Sequence, residues 1–282
     1  MPVTTVQQAL LRAAAQLAES ESPKLDAEVL LRHVTGLNAT TLITQADTGL
    51  NETQLASYQD VVARRAAGEP VAYITGAREF WTINLLVNRH TLVPRPETEL
   101  VVESVLERVD TDSVARIADL GTGSGAIAIA VKVERPKCAI VACDSSKDAL
   151  EVASTNAKHN NTDISFVQSH WFDQLAQQRF HIIATNPPYV AQGDPHLRQG
   201  DLRFEPATAL SSGIDGLDDI REIVSNAPDH LLDNGWLILE HGYDQGESVR
   251  TLLTEHGFSN ISTRRDLAGH ERVTQGQLVH NR

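Results

Sequence analysis

Ala115–Val131 (ARIADLGTGSGAIAIAV) is the stretch whose reading decides the fold. A short apolar run, Ala115–Leu120, meets three alternate glycines, Gly121, Gly123 and Gly125, and an apolar helix start, Ala126–Val131, follows at once. Alternate glycines let a backbone turn sharply and let a ligand come where a Cβ would stand. A strand that turns through glycine into a helix is the opening of an open α/β sheet. The pattern continues outward. Strands are predicted at Ala139–Cys143, Ile164–Val167, His181–Thr185, Trp236–Glu240, Ser259–Arg264 and Gln277–His280, with helices near 126–134, 146–159, 217–232 and 244–256. Such alternation gives parallel strands joined by crossover helices. The last two strands have no helix between them, which predicts an antiparallel pair at one edge.

Upstream the grammar differs. Val6, Ala9, Leu10, Ala13, Ala14 and Leu17 recur at helical spacing behind a Thr5/Gln8 capping box. Asp26 is read as the cap of a second helix that Gly36 closes, and Asn51 with Gln54 opens a third that stops at Gly68. Residues 1–75 therefore read as a small helical bundle. Residues 76–96 read as a β-hairpin linker, with Phe80–Val87 and His90–Val93 as strands about a turn at Asn88–Arg89, and 97–282 as the sheet domain, entered by a helix from Glu97 to Val109. The 282 residues carry a formal net charge of −13, the wrong sign for a chain that tracks nucleic-acid phosphates. No apolar run is long enough to span a bilayer. Two cysteines, Cys138 and Cys143, make neither a disulfide framework nor a metal site. A monomer in the cytoplasm, without membrane, bound metal or direct nucleic-acid substrate, is the expectation.

The predicted second strand ends beside Asp144, where a carboxylate can accept from both hydroxyls of a ribose. A glycine turn with that acid implies a nucleoside-containing cofactor. The spacing is G-x-G-x-G rather than the dinucleotide G-x-G-x-x-G, and no Lys-Ser/Thr follows as in a Walker loop. Asp119 through Gly125, followed by Asp144, resembles the class I S-adenosylmethionine-dependent methyltransferases. That resemblance implies a Rossmann-like, seven-stranded, mostly parallel sheet with an antiparallel last strand, here behind the small N-terminal helical bundle.

Asn186-Pro187-Pro188-Tyr189 follows the predicted strand His181–Thr185 directly. Ligands of an open parallel sheet bind outside the carboxyl ends of its strands, so this tetrapeptide belongs beside the glycine turn. Its chemistry suits a planar nitrogen. An amide or exocyclic amine is a poor nucleophile that bears two N–H donors. The Asn186 side-chain oxygen and the Pro187 carbonyl offer two acceptors, aimed by prolines whose φ is fixed. Tyr189 can lie over the planar group. No general base is needed before methyl transfer, since the surplus proton leaves once nitrogen is alkylated. The tetrapeptide resembles the D/N-P-P-Y/F motif of methyltransferases that act on planar nitrogens of DNA, RNA or protein glutamine.

Gly76, Arg78-Glu79-Phe80-Trp81, Val93-Pro94-Arg95-Pro96-Glu97-Thr98-Glu99, Asn186–Tyr189, Arg203-Phe204-Glu205-Pro206 and Leu239-Glu240-His241-Gly242 fall in one order along the chain. In this the sequence resembles the HemK/PrmC family, the peptide chain release factor N(5)-glutamine methyltransferases. The resemblance implies S-adenosyl-L-methionine as cofactor, S-adenosyl-L-homocysteine as product, and the glutamine of the Gly-Gly-Gln motif of class 1 release factors as substrate. It implies that the N-terminal bundle helps dock that protein. It places Gly121, Thr122, Gly123, Ser124, Gly125, Asp144, Trp171 and Asn186 at the cofactor and Asn186, Pro187, Pro188 and Tyr189 at the glutamine, with Asn186, Pro187 and Tyr189 as the catalytic set. The family's usual acid before the tryptophan is His170 here, which can accept from adenine in one tautomer alone. Two alternatives share the tetrapeptide: a ribosomal protein glutamine methyltransferase, which departs from the Pro-Arg-Pro-Glu-Thr-Glu and Glu-His-Gly segments, and a nucleic-acid amino methyltransferase, which needs a basic cleft. Several residues read two ways. Trp171 and Phe172 are site or core aromatics. Arg95 and Glu97 each close the pocket or belong to a hinge ion pair. Glu205 and Glu240 orient a substrate loop or make structural hydrogen bonds. Tyr73, Trp81, Trp236 and His181 read as core side chains and Cys143 as a small buried hydrophobe. The segment 190–216 reads as an irregular substrate entrance that orders when the release factor binds.

Overall fold

The computed structural model describes residues 4–198 and 200–279. The chain forms two compact units. One comprises residues up to Gly76 together with 200–204, the other 77–198 and 205–279.

The first unit is helical: α1 (Val6–Gln16), α2 (Pro23–Thr35), α3 (Ala39–Thr44), α4 (Glu52–Ala66) and α5 (Val71–Thr75). The capping boxes at Thr5/Gln8 and Asn51/Gln54 form as the spacing predicts. Leu30, Leu31, Tyr58 and Val62 are buried at the centre. Asp26 is not a cap. The cap position falls to Ser22, because Pro23 suits the first helical turn. Asp26 instead lies inside that turn, accepting from Ser20 Oγ at 2.6 Å, Ser22 Oγ at 2.9 Å and Arg65 Nε at 2.8 Å. Arg65 also pairs with Asp201 of the 200–204 segment. Truncating Arg65 leaves the buried Asp26 carboxylate without a cation, held by two hydroxyl donors alone. Arg65→Ala should therefore destabilise the helical unit by about 3 kcal/mol, read as a lower urea midpoint.

In the second unit a hairpin comes first, β1 (Ala77–Phe80) against β2 (Ile83–Leu86). It turns at Trp81–Thr82 rather than at Asn88–Arg89, since Trp81 adopts the left-handed conformation (φ +53°) that a two-residue turn requires. The expected strand at His90–Val93 is a turn and extended chain, held by the Thr91 N–H on the Asn88 carbonyl. A 3₁₀ turn, Pro96–Thr98, leads into α6 (Glu99–Leu106). Then follow β3 (Arg116–Leu120), α7 (Ala126–Glu134), β4 (Ala139–Asp144), α8 (Lys147–His159), β5 (Ser165–Gln168), β6 (Phe180–Thr185), α9 (Asp218–His230), β7 (Leu231–Glu240), α10 (Gly246–Glu255), β8 (Phe258–Arg265) and β9 (Glu271–Leu278).

The seven strands run in the order β5-β4-β3-β6-β7-β9-β8, and β9 is antiparallel to both neighbours. This is the expected sheet, with the last strand reversed between β7 and β8. That strand begins at Glu271, six residues before the predicted start, and the predicted end at His280 lies outside the described residues. Alternation along the strands feeds two cores. Ile117, Ile140, Ile182 and Ile238 pack with α6 and α7 on one face, while Leu120, Ile183, Leu237 and Leu239 pack with α9 and α10 on the other. His181 departs from its reading: it is exposed, and its Nδ1 accepts from the Arg116 N–H at 3.0 Å. Trp81 and Trp236 only half-enter the core. The Trp81 indole donates to Glu134, and the Arg108 guanidinium covers the Trp236 ring. Among the described residues no helix is long and apolar enough to cross a membrane.

Candidate active site

Chain connections diverge to either side of β3, whose neighbours are β4 and β6. At such a point the carboxyl ends of the strands open onto a crevice. A cavity of about 450 Å³ lies there, lined by Gly121, Thr122, Gly123, Ser124, Asp144, His170, Trp171, Asn186, Pro188 and Asp219. Three of the predicted site residues do not line it. Gly125 starts α7 with φ +87°, packed toward Ile129 and Ala153, while Pro187 is buried and Tyr189 half-buried behind the wall.

The glycine turn is braced from beneath. Asp119 Oδ2 accepts from the Thr122 hydroxyl at 2.6 Å and from the Ala128 N–H at 3.2 Å, tying the turn to the first turn of α7. Burial holds this carboxyl up at about 7. From the outer side Asn156 of α8 donates to the Ser124 carbonyl and to Leu86 of β2, and also accepts from the Leu86 N–H. Asn156 is fully buried and was not foreseen, because nothing local marks it as a clamp between hairpin and turn.

Asp144 ends β4 and accepts from the Gly123 N–H and the Ser146 N–H, each at 2.9 Å. Burial raises its pKa, and the two backbone donors oppose that rise. Each oxygen keeps a further lone pair for a ligand hydroxyl. Trp171 adopts φ +40°, and its ring lies where a Cβ on Gly121 would come within 3.1 Å. Its carbonyl accepts from Ser169 Oγ and Cys143 Sγ, and its indole N–H donates to Asp219 at 3.2 Å. His170 lies on the cavity wall, with Nδ1 at 3.3 Å from Glu222.

Asn186 holds the most informative atom of the site. Its Nδ2 donates to the Thr98 hydroxyl at 3.0 Å. Its Oδ1 is buried and has no partner among the described residues. An orphaned acceptor costs about 1–3 kcal/mol of desolvation, so such an atom on a cavity wall marks a place for a ligand donor. Tyr189 is fixed at both ends. Its hydroxyl donates to Glu240 Oε1 at 3.1 Å, and its carbonyl accepts from Gln245 Nε2 at 3.0 Å. Gly216 must lack a side chain for this, since a Cβ would stand 2.3 Å from that carbonyl oxygen.

Arg95 pairs with Glu205, not with Glu97, and Glu205 also accepts from the Val93 N–H. The pair joins the chain before α6 to the chain before the 3₁₀ turn Ala207–Ala209. The segment 190–216 is not structureless where it is described: it contains three short 3₁₀ helices and a parallel bridge between Val190 and Ser211.

Residues 8–76 match the family model described as the PrmC N-terminal domain, and residues 97–209 match the methyltransferase small domain. The release factor glutamine methyltransferase of Xylella fastidiosa (strain Temecula1) is 48% identical over 270 residues, covering 95% of this chain and 97% of that one. Its counterpart in Escherichia coli (strain K12) is 46% identical over 269 residues, with the same coverage of 95% and 97%. Among solved structures, a methyltransferase from Pyrococcus furiosus shares the fold at a TM-score of 0.55, with 15% identity over 79% of this chain and 100% of that chain.

Proposed function

The chain belongs to the release factor glutamine methyltransferases, and we propose on that premise that it moves a methyl group from S-adenosylmethionine to the side-chain amide nitrogen of the Gly-Gly-Gln glutamine of a class 1 release factor. The unpartnered Asn186 Oδ1 on the cavity wall carries this reading.

The residues present fit the cofactor. Gly121, whose missing Cβ lets the Trp171 ring come close, and Gly123, with open space beside it, line the cavity where its methionyl part is placed. Asp144, with both oxygens oriented by backbone donors, takes the ribose hydroxyls. His170 supplies the adenine contact. In the tautomer that leaves a ring nitrogen bare toward the cavity, it accepts from the adenine amine. When bound, the sulfonium supplies an electrophilic methyl group.

The protein's part is to hold the nucleophile. Asn186 Oδ1 accepts one amide N–H, and the Pro187 carbonyl accepts the other. Two acceptors on one NH₂ group draw density toward nitrogen and fix its plane. Tyr189, tethered through its hydroxyl to Glu240, braces the tetrapeptide from behind that wall. Positioning of this kind contributes up to about 7–11 kcal/mol, so no side-chain base is called for. The surplus proton leaves to water after transfer. The helical unit is proposed as the part that docks the release factor.

Label from S-adenosylmethionine, offered separately to a release factor, a ribosomal protein and duplex DNA, is expected on the release factor. Label on DNA or on the ribosomal protein alone would contradict the proposal.

A further inference from the structure

Large apolar side chains that stand singly in solvent are ordinary on a protein surface. Beside the tetrapeptide they are not scattered singly. Ile214 is 89% exposed, Tyr243 63% and Leu267 fully, and each stands on a loop at the same end of the sheet. We propose that these three side chains form a docking surface for the release factor, continuous with the tetrapeptide, which holds the protein substrate while its glutamine occupies the cavity. The proposal rests on the glutamine reading above.

The sheet places them together. Ile214 lies on the connection from β6 to α9, Tyr243 on that from β7 to α10, and Leu267 in the β8–β9 turn. β6 and β7 are parallel, and β9 is antiparallel to both β7 and β8. The carboxyl ends of β6, β7 and β8 therefore point the same way, toward the side where Asn186–Tyr189 stands. Contacts join the loops. Gln245 Nε2 donates to the Tyr189 carbonyl at 3.0 Å and to the Asp215 carbonyl at 3.3 Å, and the Tyr243 and His270 rings lie 5.7 Å apart. In the order β6-β7-β9-β8, β6 and β8 are three strand spacings of about 4.8 Å apart, so the surface runs roughly 15 Å outward from the tetrapeptide.

The loops that carry these side chains are braced. Asp266 Oδ1 accepts from the Ala268 N–H and the His270 N–H, each at 2.9 Å, and Asp266 Oδ2 accepts from Arg272 Nε at 2.8 Å, so Leu267 is held out in solvent. The Gly242 N–H donates to Gln245 Oε1 at 2.8 Å, and the Gln245 N–H donates to the Gly242 carbonyl at 3.0 Å, which fixes the loop under Tyr243. The Ile214 loop turns at Gly213 and Gly216, whose missing side chains make room for Asp218 and for the Tyr189 carbonyl. Side chains ordered before binding lose less entropy at contact. The occupant follows from continuity. A glutamine held at Asn186 belongs to a protein, and the surface of that protein around it must lie over the loops that border the tetrapeptide. The fit is to apolar side chains of the release factor roughly 15 Å from its glutamine. Tyr243 is the kind of aromatic anchor that carries binding energy once water is excluded.

Ile214→Ser, Tyr243→Ser and Leu267→Ser combined in one chain test this, since none of the three side chains is buried and the core does not rest on them. Calorimetric titration with a release factor, in the presence of S-adenosyl-L-homocysteine, should show a Kd raised roughly 30-fold or more, as the loss of a hot-spot cluster entails. The Kd for S-adenosyl-L-homocysteine and the urea midpoint should match the wild type. An unchanged Kd for the release factor in the triple variant overturns the proposal. An equal loss of affinity for S-adenosyl-L-homocysteine also overturns it, because the loops then serve the cavity or the fold. If the surface seats a second copy of this chain instead, sedimentation will show a wild-type dimer that the variant dissolves while release factor affinity stays the same, and that result overturns it too. The glutamine reading fails separately. A wild type that binds a release factor and leaves its glutamine unmethylated contradicts that reading, and the Kd of the triple variant still decides the surface. A wild type that binds no release factor overturns both.

Discussion

Asn186→Ala is expected to lower kcat on a release factor by roughly 100- to 1000-fold, the loss that follows removal of one preorganised hydrogen-bond partner of a reacting group. Affinity for S-adenosylmethionine should stay nearly unchanged, because the glycine turn, Asp144 and Trp171 are untouched. Asn186 Oδ1 is buried without a partner among the described residues while the same side chain spends its NH₂ on Thr98. A protein that leaves an acceptor in that condition loses stability unless a ligand repays it, so the atom is placed for the substrate. Truncation removes the acceptor and also frees Thr98. Equal losses in turnover and in cofactor affinity, measured by steady-state kinetics and calorimetry, would assign Asn186 to the cofactor or the fold instead.

Gly121→Val should act in the opposite way and abolish cofactor binding first. The residue sits at φ +68°, a conformation that costs a β-branched side chain about 1–2 kcal/mol. A Cβ would also come within 3.1 Å of the Trp171 ring. That ring is not free to move, since Trp171 is held by Asp219 at the indole and by Ser169 and Cys143 at its carbonyl. Overpacking adds about 1–3 kcal/mol, so the Kd for S-adenosylmethionine should rise roughly 30-fold or more. Calorimetric titration checks this, and a variant that binds the cofactor as the wild type does would show that the turn does not frame the pocket.

Much of the fold was legible because its signals are local. The glycine turn after β3, the acid at the end of β4 and the reversed last strand each follow from spacing within a short window. The helices α3 and α5 are not legible, since six and five residues are too few to show a period. Asp26 departs from its reading for a different reason. Its residue type suits a cap, but Pro23 fixes the helix start three residues earlier, and Arg65 holds the carboxylate from across the bundle. His181 follows a strand pattern yet faces solvent, at the start of β6 where the pairing with β7 shifts register.

The site divides in the same way. Asp144, Asn186 and Pro188 line the cavity as their positions at strand ends predict, whereas Gly125, Pro187 and Tyr189 stand behind the wall. Thr98, Asn156, Asp219 and Gln245 support the site from other elements. Thr98 lay within a motif that carried the resemblance, but its role depends on meeting Asn186 88 residues away, and no spacing rule encodes that meeting.

The most direct test of the central claim is the position of the methyl group. A release factor methylated in vitro, then digested and sequenced by mass spectrometry, should carry one methyl on the side-chain nitrogen of the Gly-Gly-Gln glutamine, and a release factor with that glutamine replaced by alanine should carry none. A methyl at another residue, or equal labelling of the alanine variant, would contradict the account.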